Sequence, residues 1–140
     1  PVFAEEYEPA GYHVYDVQEE EATDTWYGVA RGDYLQAGIA KVKKGTQSGY
    51  ARASGSTLAH FACDRLYVRI YLDESANGTD GWGTLNYWTA NAYNKSMVTV
   101  SSGDYKITKG DYYSVKGAHS VFQDDIIETT TTCTDAIPIN

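Results

Sequence analysis

The segment after residue 72 has oxygen-bearing side chains at the spacing of a calcium-binding loop. Asp73, Ser75 and Asn77 take its first, third and fifth positions, glycine takes the sixth, and Asp80 follows. Such oxygens are the ligands that Ca²⁺ prefers. However, the twelfth position, where a bidentate glutamate belongs, is Thr84. A bare β-turn with Asn-Gly at its tip explains the same residues, and we prefer it to a weak calcium site, the one cofactor that the sequence suggests.

Aromatic side chains form a second candidate site. Tyr67 and Tyr71 fall on the outward side of one predicted strand, and Trp82, Tyr87 and Trp88 lie on the next. A flat array of rings on a sheet suits carbohydrate, because sugar faces pack on rings while neighbouring polar groups bind the hydroxyls. Rings of this kind also fill cores and cover sheet edges, and no spacing in the sequence separates the two roles.

Groups for nucleophilic catalysis are scattered. The histidines are His13, His60 and His119, and the chain has no Gly-x-Ser-x-Gly motif. His119 lies on the inward side of its predicted strand, as a hydrogen-bonded core histidine does. His60 near Cys63 suggests a Cys–His dyad, which a disulfide at Cys63 would exclude. The sequence therefore favours a non-enzymatic protein over a small hydrolase assembled around His60 or His119.

The chain contains two cysteines, Cys63 and Cys133. In an exported protein such a pair usually forms a disulfide, and one closing a loop of this length contributes roughly 4 kcal/mol. Two buried thiols in a reducing compartment are the alternative. Neither a CxxC motif nor a metal-spaced Cys/His set is present.

The net charge of −8 over 140 residues is uneven. Between Glu5 and Asp24 there are eight acidic residues and no Lys or Arg, whereas acids and bases are equal in number from Tyr27 onward. An acidic chain without an evident basic patch disfavours nucleic acid and anionic membrane surfaces as partners. No apolar run approaches the ~20 residues of a membrane-spanning helix.

Three regions follow from this distribution. Residues 1–4 have the small-residue pattern of a signal-peptide cleavage site, which predicts a secreted or cell-surface protein, although an arbitrary chain boundary gives the same pattern. Residues 5–25 are predicted to be an acidic leader or tether. Residues 26–140 are predicted to be the folded domain.

Within the domain, short apolar runs recur at intervals of about a dozen residues and show no helical periodicity. Alternation of period two places these side chains inward: Ala51, Ala53, Gly55, Thr57, Ala59, Leu66, Val68, Ile70, Leu72, Tyr113, Val115, Gly117, His119 and Val121. We therefore predict an all-β fold, a two-sheet antiparallel sandwich of about seven strands with an immunoglobulin-like pattern.

The pattern resembles immunoglobulin-like and fibronectin-type sandwiches. Residues 110–113 look like the corner in which a tyrosine hydroxyl bonds back to the preceding loop, although Cys133 departs from the immunoglobulin cysteine spacing. More narrowly, residues 34–139 resemble an uncharacterised secreted family of Gram-positive bacteria. The residues that carry this resemblance are YLQAG at 34–38, SGST at 54–57, LYVRIYL at 66–72, KGDYYSVKGAHSV at 109–121 and TDAI at 134–137.

That resemblance implies export and the fold, but no activity. Taken together, the sequence predicts an exported, non-enzymatic domain that binds a glycan or a protein through a sheet face or the loops at one end. A structural or accessory domain that assembles through exposed sheet edges is a further alternative.

Overall fold

The computed structural model describes residues 21–27 and 34–140, and these residues form strands but no helix. The strands are β1 (Glu21–Tyr27), β2 (Leu35–Lys44), β3 (Tyr50–Ser75), β4 (Gly83–Ser101), β5 (Tyr105–Lys106), β6 (Tyr112–Gln123), β7 (Ile126–Cys133) and β8 (Ile137–Pro138). All pairings between them are antiparallel. The predicted all-β, antiparallel class is confirmed.

Strand β3 organises the sheet because it is 26 residues long and has partners on both edges. β4 pairs with β3 along almost its whole length. The opposite edge of β3 pairs first with β2 and then, beyond residue 64, with β6. β1 extends the sheet beyond β2, and β7 extends it beyond β6. We call β1, β2 and residues 50–58 of β3 the first leaf, and residues 65–75 of β3 with β6 and β7 the second leaf.

The two leaves are parts of one sheet that curls into a half-barrel, so the predicted pair of separate sheets is corrected. The inward residues predicted between 51 and 59 and those predicted between 66 and 72 lie on one strand, β3, rather than on two. The register shifts between Leu58 and Cys63, where three consecutive exposed residues bulge outward. A bulge bends a strand without ending it, which keeps the sheet continuous.

The side chains predicted to point inward are buried between the leaves, as the period-two alternation requires. The two leaves approach each other closely at glycines of the first leaf, because a side chain of the second leaf occupies the space that a Cβ atom would take. A Cβ atom at Gly55 would lie 2.5 Å from the Cγ2 atom of Ile70, and one at Gly38 would lie 2.6 Å from the Cδ2 atom of His119. Each contact joins a residue of the first leaf to one of the second, so the small side chains of the first leaf set the spacing.

Two carboxylates link strand β7 to the first leaf, one to β1 and one to the start of β2. Asp24 accepts a hydrogen bond from the backbone N–H of Cys133 at 2.8 Å. Glu128 of β7 accepts bonds from the backbone N–H groups of Tyr34 and Leu35 at 3.0 and 2.7 Å. Backbone donors along a sheet edge need acceptors, and these two side chains supply them.

The predicted tyrosine corner is confirmed at Tyr113. Its hydroxyl lies 2.7 Å from the carbonyl oxygen of Thr108 and 2.7 Å from a carboxylate oxygen of Glu74, either of which accepts its single proton. The hydroxyl also accepts a bond from the backbone N–H of Thr108 at 2.9 Å. Burial, followed by the contact with Glu74, raises the pKa of Tyr113 above its ordinary value.

Two predicted regions, the acidic leader and the signal-peptide remnant, lie partly or wholly outside the described residues. β1 contains residues 21–25 of the predicted acidic leader, paired with β2. The rest of that leader, His13 and the predicted signal-peptide remnant lie outside the described residues. Within the described ranges, no helix has the length and apolarity needed to cross a membrane.

Candidate functional site

The second leaf and the adjoining part of β4 present one continuous surface to solvent, which we call the outer face. Strand register aligns its residues in four rows, each running from β4 across β3 and β6 to β7. The rows are Tyr93, Arg65, Phe122 and Ile127; Asn91, Tyr67, Ser120 and Thr129; Thr89, Arg69, Ala118 and Thr131; and Tyr87, Tyr71, Lys116 and Cys133.

Three of the five predicted platform residues lie together on this face. Tyr71 and Tyr87 are cross-strand partners whose ring centroids are 6.0 Å apart. Tyr67 lies on the same side of β3, four residues before Tyr71. Tyr87 is 52% exposed, and Tyr93, six residues further along β4 on the same side, is 60% exposed. The rings therefore form a solvent-facing array.

The two tryptophans of the predicted platform lie elsewhere. Trp88 is the cross-strand partner of the fully buried Ile70, so it is on the inner side of the sheet. There it packs edge-on against Tyr105 with ring centroids 5.3 Å apart, next to the core. Trp82 is half-buried in the turn before β4. The array therefore consists of tyrosines of β3 and β4, together with Phe122 of β6.

Cationic side chains are interleaved with these rings. The guanidinium carbon of Arg65 lies 4.5 Å from the centroid of Phe122, and that of Arg69 lies 4.5 Å from the centroid of Tyr87. The ammonium nitrogen of Lys116 lies 5.9 Å from the centroid of Tyr71. Such contacts fix the cations and the rings relative to each other.

The partners of the three cations differ. Lys116 forms an ion pair at 3.1 Å with Asp73, whose carboxylate is almost fully buried. The two arginines instead donate from Nε to neutral oxygens at 2.9 Å, Arg65 to the Asn91 amide and Arg69 to the Thr89 hydroxyl. Neither arginine forms an ion pair with a carboxylate of the described chain.

Sequence reasoning did not identify the cationic part of the outer face. The alternation of Arg65, Tyr67, Arg69 and Tyr71 is visible in the sequence, and it places all four side chains on the same side of β3. The residues that β4 and β6 contribute were not accessible in this way, because they depend on the register of two neighbouring strands. The expectation of no basic patch was therefore incomplete.

The predicted calcium-loop residues are largely occupied with one another. The hydroxyl of Ser75 lies 2.5 Å from the carbonyl oxygen of Asp80 and accepts the backbone N–H of Gly78 at 2.9 Å. The amide oxygen of Asn77 accepts the backbone N–H groups of Thr79 and Asp80 at 2.8 and 3.0 Å. These contacts are those of a self-contained turn.

Asp73, the predicted first ligand, has partners outside the tip of that turn. It accepts a bond from the Thr84 hydroxyl at 2.6 Å and pairs with Lys116 on the neighbouring strand. Within the residues that the structure describes, no group of three or more His, Cys, Asp or Glu side chains is arranged to hold a metal ion. The geometry favours the turn interpretation.

His119 is fully buried between the leaves. Its Nδ1 atom is 2.9 Å from the Thr57 hydroxyl, which donates its own proton to the carbonyl oxygen of Tyr67, so Nδ1–H is the donor. Nε2 then accepts from the Thr132 hydroxyl at 2.8 Å. Burial lowers the pKa of His119 to about 4. A neutral imidazole with both nitrogens satisfied holds the leaves together and has no access to a substrate.

The predicted Cys–His dyad and the predicted disulfide both depend on Cys63. Cys63 is buried, which raises the pKa of its thiol, so the reactive thiolate is disfavoured. His60 is exposed in the bulge. A histidine outside the core and an inert thiol inside it do not favour nucleophilic catalysis.

The predicted disulfide is wrong, because Cys63 and Cys133 are free thiols. Register explains this result. Cys133 lies in the same row as Tyr71, and Cys63 is eight residues from Tyr71 along β3, which corresponds to roughly 26 Å. A disulfide requires Cα atoms within about 7 Å. The two thiols lie near opposite ends of the second leaf.

A family model described as a family of unknown function (DUF6147) matches residues 3–137. The match extends across both leaves of the sheet and all four strands of the outer face. No curated protein and no solved structure gives a significant match to the chain.

Proposed function

We propose that this chain, which belongs to the family of unknown function DUF6147, is a non-enzymatic binding module whose outer face binds carbohydrate. The observation that supports this most directly is the tyrosine array. Tyr67, Tyr71 and Tyr87 face solvent from adjacent strands, in a register that holds two of the rings 6.0 Å apart. Sugar rings expose apolar C–H faces that pack on such aromatic surfaces.

Polar side chains lie among the rings. Thr89 and Asn91 lie between Tyr87 and Tyr93 on the same side of β4, and Ser120 of β6 lies beside Tyr67. Amide and hydroxyl groups donate and accept hydrogen bonds, as binding to sugar hydroxyls requires. Because the array is built on paired strands, it loses little side-chain freedom when a ligand binds.

An exported location is part of this proposal. It is supported by the sequence resemblance of residues 34–139 to a secreted family. The free thiols remove the disulfide as a supporting argument. Immunodetection of the tagged full-length gene product in culture medium, cell wall and lysate tests the location independently of binding.

The binding proposal is tested by calorimetry with a panel of neutral and acidic polysaccharides. We expect Tyr71→Ala/Tyr87→Ala to lose at least tenfold in affinity, about 1.4 kcal/mol, because stacking surface is removed. Tyr27→Ala is the matched control, since Tyr27 is 63% exposed on β1 of the first leaf. Affinity unchanged in the double variant, or no binding of any polysaccharide by the parent protein, contradicts the proposal.

Assembly through a sheet edge is a second candidate function, favoured by a separate observation. Within the described ranges, the 19-residue β4 pairs with β3 alone. Its single charged residue is Lys95, and Leu85 and Met97 are 38% and 51% exposed. Edge strands usually carry charges or proline that prevent pairing with another chain.

A second copy supplies the same strand in antiparallel orientation, which closes a two-fold dimer. Light scattering over a concentration series tests this candidate. We expect a dimer that Leu85→Lys/Met97→Lys dissociates, while Ile126→Lys/Ile127→Lys on β7 leaves it intact. A monomer at all concentrations rules this candidate out.

A further inference from the structure

We propose that the ligand of the outer face is an acidic polysaccharide, whose carboxylates bind Arg65 and Arg69 while its sugar rings stack on the tyrosines. The inference rests on the proposed function, because it names the chemical class of the carbohydrate. The acidic character of the ligand is inferred from the charge of the outer face, and not from its aromatic rings.

The outer face has a charge opposite to that of the chain. The protein carries a net charge of −8, yet the sixteen residues of the four rows include three bases and no acid. Lys116 is neutralised by Asp73, but Arg65 and Arg69 have no carboxylate partner in the described residues. A local cationic surface on an acidic protein selects an anionic ligand by charge complementarity.

The two guanidinium groups are also held in position for a carboxylate. Each lies against an aromatic ring at 4.5 Å and is fixed at Nε by a neutral oxygen. Arginine has five N–H donors, and the bond to Asn91 or Thr89 uses only the Nε–H, while Arg69 also contacts the Tyr71 hydroxyl. The other donors suit the two-point contact that matches a carboxylate. This preorganisation reduces the ordering that binding requires.

Spacing indicates that the ligand is a polymer. Arg65 and Arg69 lie four residues apart on β3, which places their Cα atoms about 13 Å apart, with Tyr67 between them. A single small anion does not reach both sites. A chain that runs along β3 places a carboxylate at each arginine and an uncharged sugar face on the intervening ring.

Single-stranded nucleic acid also combines stacking with anionic groups, but the face fits it less well. Proteins that bind such strands track every phosphate along a positively charged groove. Here two unpaired cations lie about 13 Å apart on an open sheet, and the remaining charge of the protein repels a continuous polyanion. Intermittent carboxylates suit this low density of cations better.

The test compares polymers that differ only in charge. The probes are hyaluronan, in which a carboxylated sugar alternates with a neutral one, and polygalacturonate with half of its carboxyl groups methyl-esterified. Each is used beside its fully esterified form, with a twenty-residue oligothymidylate as the nucleic-acid probe. We expect at least one acidic polymer to bind tenfold or more tightly than its ester. We also expect Arg65→Gln/Arg69→Gln to remove that preference and most of the salt dependence of the affinity.

Arg52→Gln is the matched control, because Arg52 lies on the same strand but in the first leaf, paired with Asp104. It should bind like the parent protein. Equal affinity for acids and esters overturns this inference and leaves the proposed function standing, whereas no binding of any polysaccharide contradicts both. Tighter binding of oligothymidylate than of every polysaccharide overturns the inference in favour of nucleic acid. Thermal unfolding of each variant confirms that it is folded.

Discussion

The outward surfaces of the two leaves carry cations in different ways, although β3 contributes to both. On the first leaf, Lys41 pairs with Glu21 at 3.3 Å and Arg52 pairs with Asp104 at 2.6 Å. On the second leaf, Arg65 and Arg69 lie against aromatic rings and donate to neutral oxygens. Neighbouring outward residues also differ, since serine and threonine take the places on the first leaf that tyrosines take on the second.

The difference separates a surface that is internally satisfied from one that still has binding capacity. Exposed ion pairs such as those of the first leaf contribute little to stability, and their charges are already compensated. The arginines of the second leaf have no carboxylate partner among the described residues, so their charge is uncompensated. Because both leaves enclose the same interior, substitutions can separate effects on the shared core from effects on one face.

The largest expected effect concerns His119, which joins the leaves from the inside. Its pKa is about 4 in the folded protein against an ordinary value of 6.5, so the unfolded chain takes up a proton first as the pH falls. Stability is therefore complete above about pH 6.5 and declines towards pH 4. The loss from this group is about 2 kcal/mol between pH 7 and pH 5.

Denaturant unfolding at pH 7 and pH 5 measures this loss. His119→Gln should show about 2 kcal/mol less pH dependence than the parent protein, whereas His60→Gln, at an exposed position, should behave like the parent. If His119→Gln does not fold, the NMR titration of His119 in the parent protein decides the question. A titration midpoint near 6.5 would contradict the prediction.

Gly55 tests how closely the leaves pack. A Cβ atom there would lie 2.5 Å from the Cγ2 atom of Ile70, so Gly55→Ala should destabilise the protein by roughly 1–3 kcal/mol. Gly83→Ala is the control, because no atom lies within 4 Å of a Cβ at that position. Equal unfolding free energies for the two variants would show that the leaves separate more readily than the structure indicates.

Much of this interior could be predicted from the sequence, because burial on a strand has a period of two. Val115, His119 and Val121 are buried as expected, and the corner at Tyr113 forms as expected. The continuity of β3 was missed because the alternation of inward and outward residues breaks at residues 60–62, all three of which are exposed. A bulge and a loop have the same hydropathy pattern, and only pairing with β4 distinguishes them.

The candidate site was less predictable, because it depends on which residues lie opposite one another. The tyrosines of β3 were identified by alternation, but Phe122 and Asn91 become partners of Arg65 only through the register with β6 and β4. The disulfide was wrong for the same reason. Sequence separation gives the length of a closed loop, and register gives the distance between its ends.

Adding a carboxylate to the outer face should give it the charge pattern of the first leaf. Thr89→Glu places an acid beside Arg69, which already donates to residue 89. We expect binding of the acidic polysaccharide to fall about tenfold, with thermal stability nearly unchanged because the position is exposed. Thr99→Glu makes the same change further along β4, where that strand pairs with the first leaf, and should leave binding unaltered. Equal losses in both variants would indicate general charge repulsion.

The smallest expected effect is the converse change on the first leaf. The Asp104 carboxylate accepts hydrogen bonds from Thr46 and from Arg52, and these bonds lower its pKa. In Asp104→Asn the pairing with Arg52 is lost, so the loop containing Thr46 should exchange its amide hydrogens faster, while global stability changes little. Arg52 then carries an uncompensated charge, but without an aromatic array beside it. Acidic polysaccharide should therefore gain no affinity, and a clear gain would show that an unpaired arginine alone is sufficient for binding.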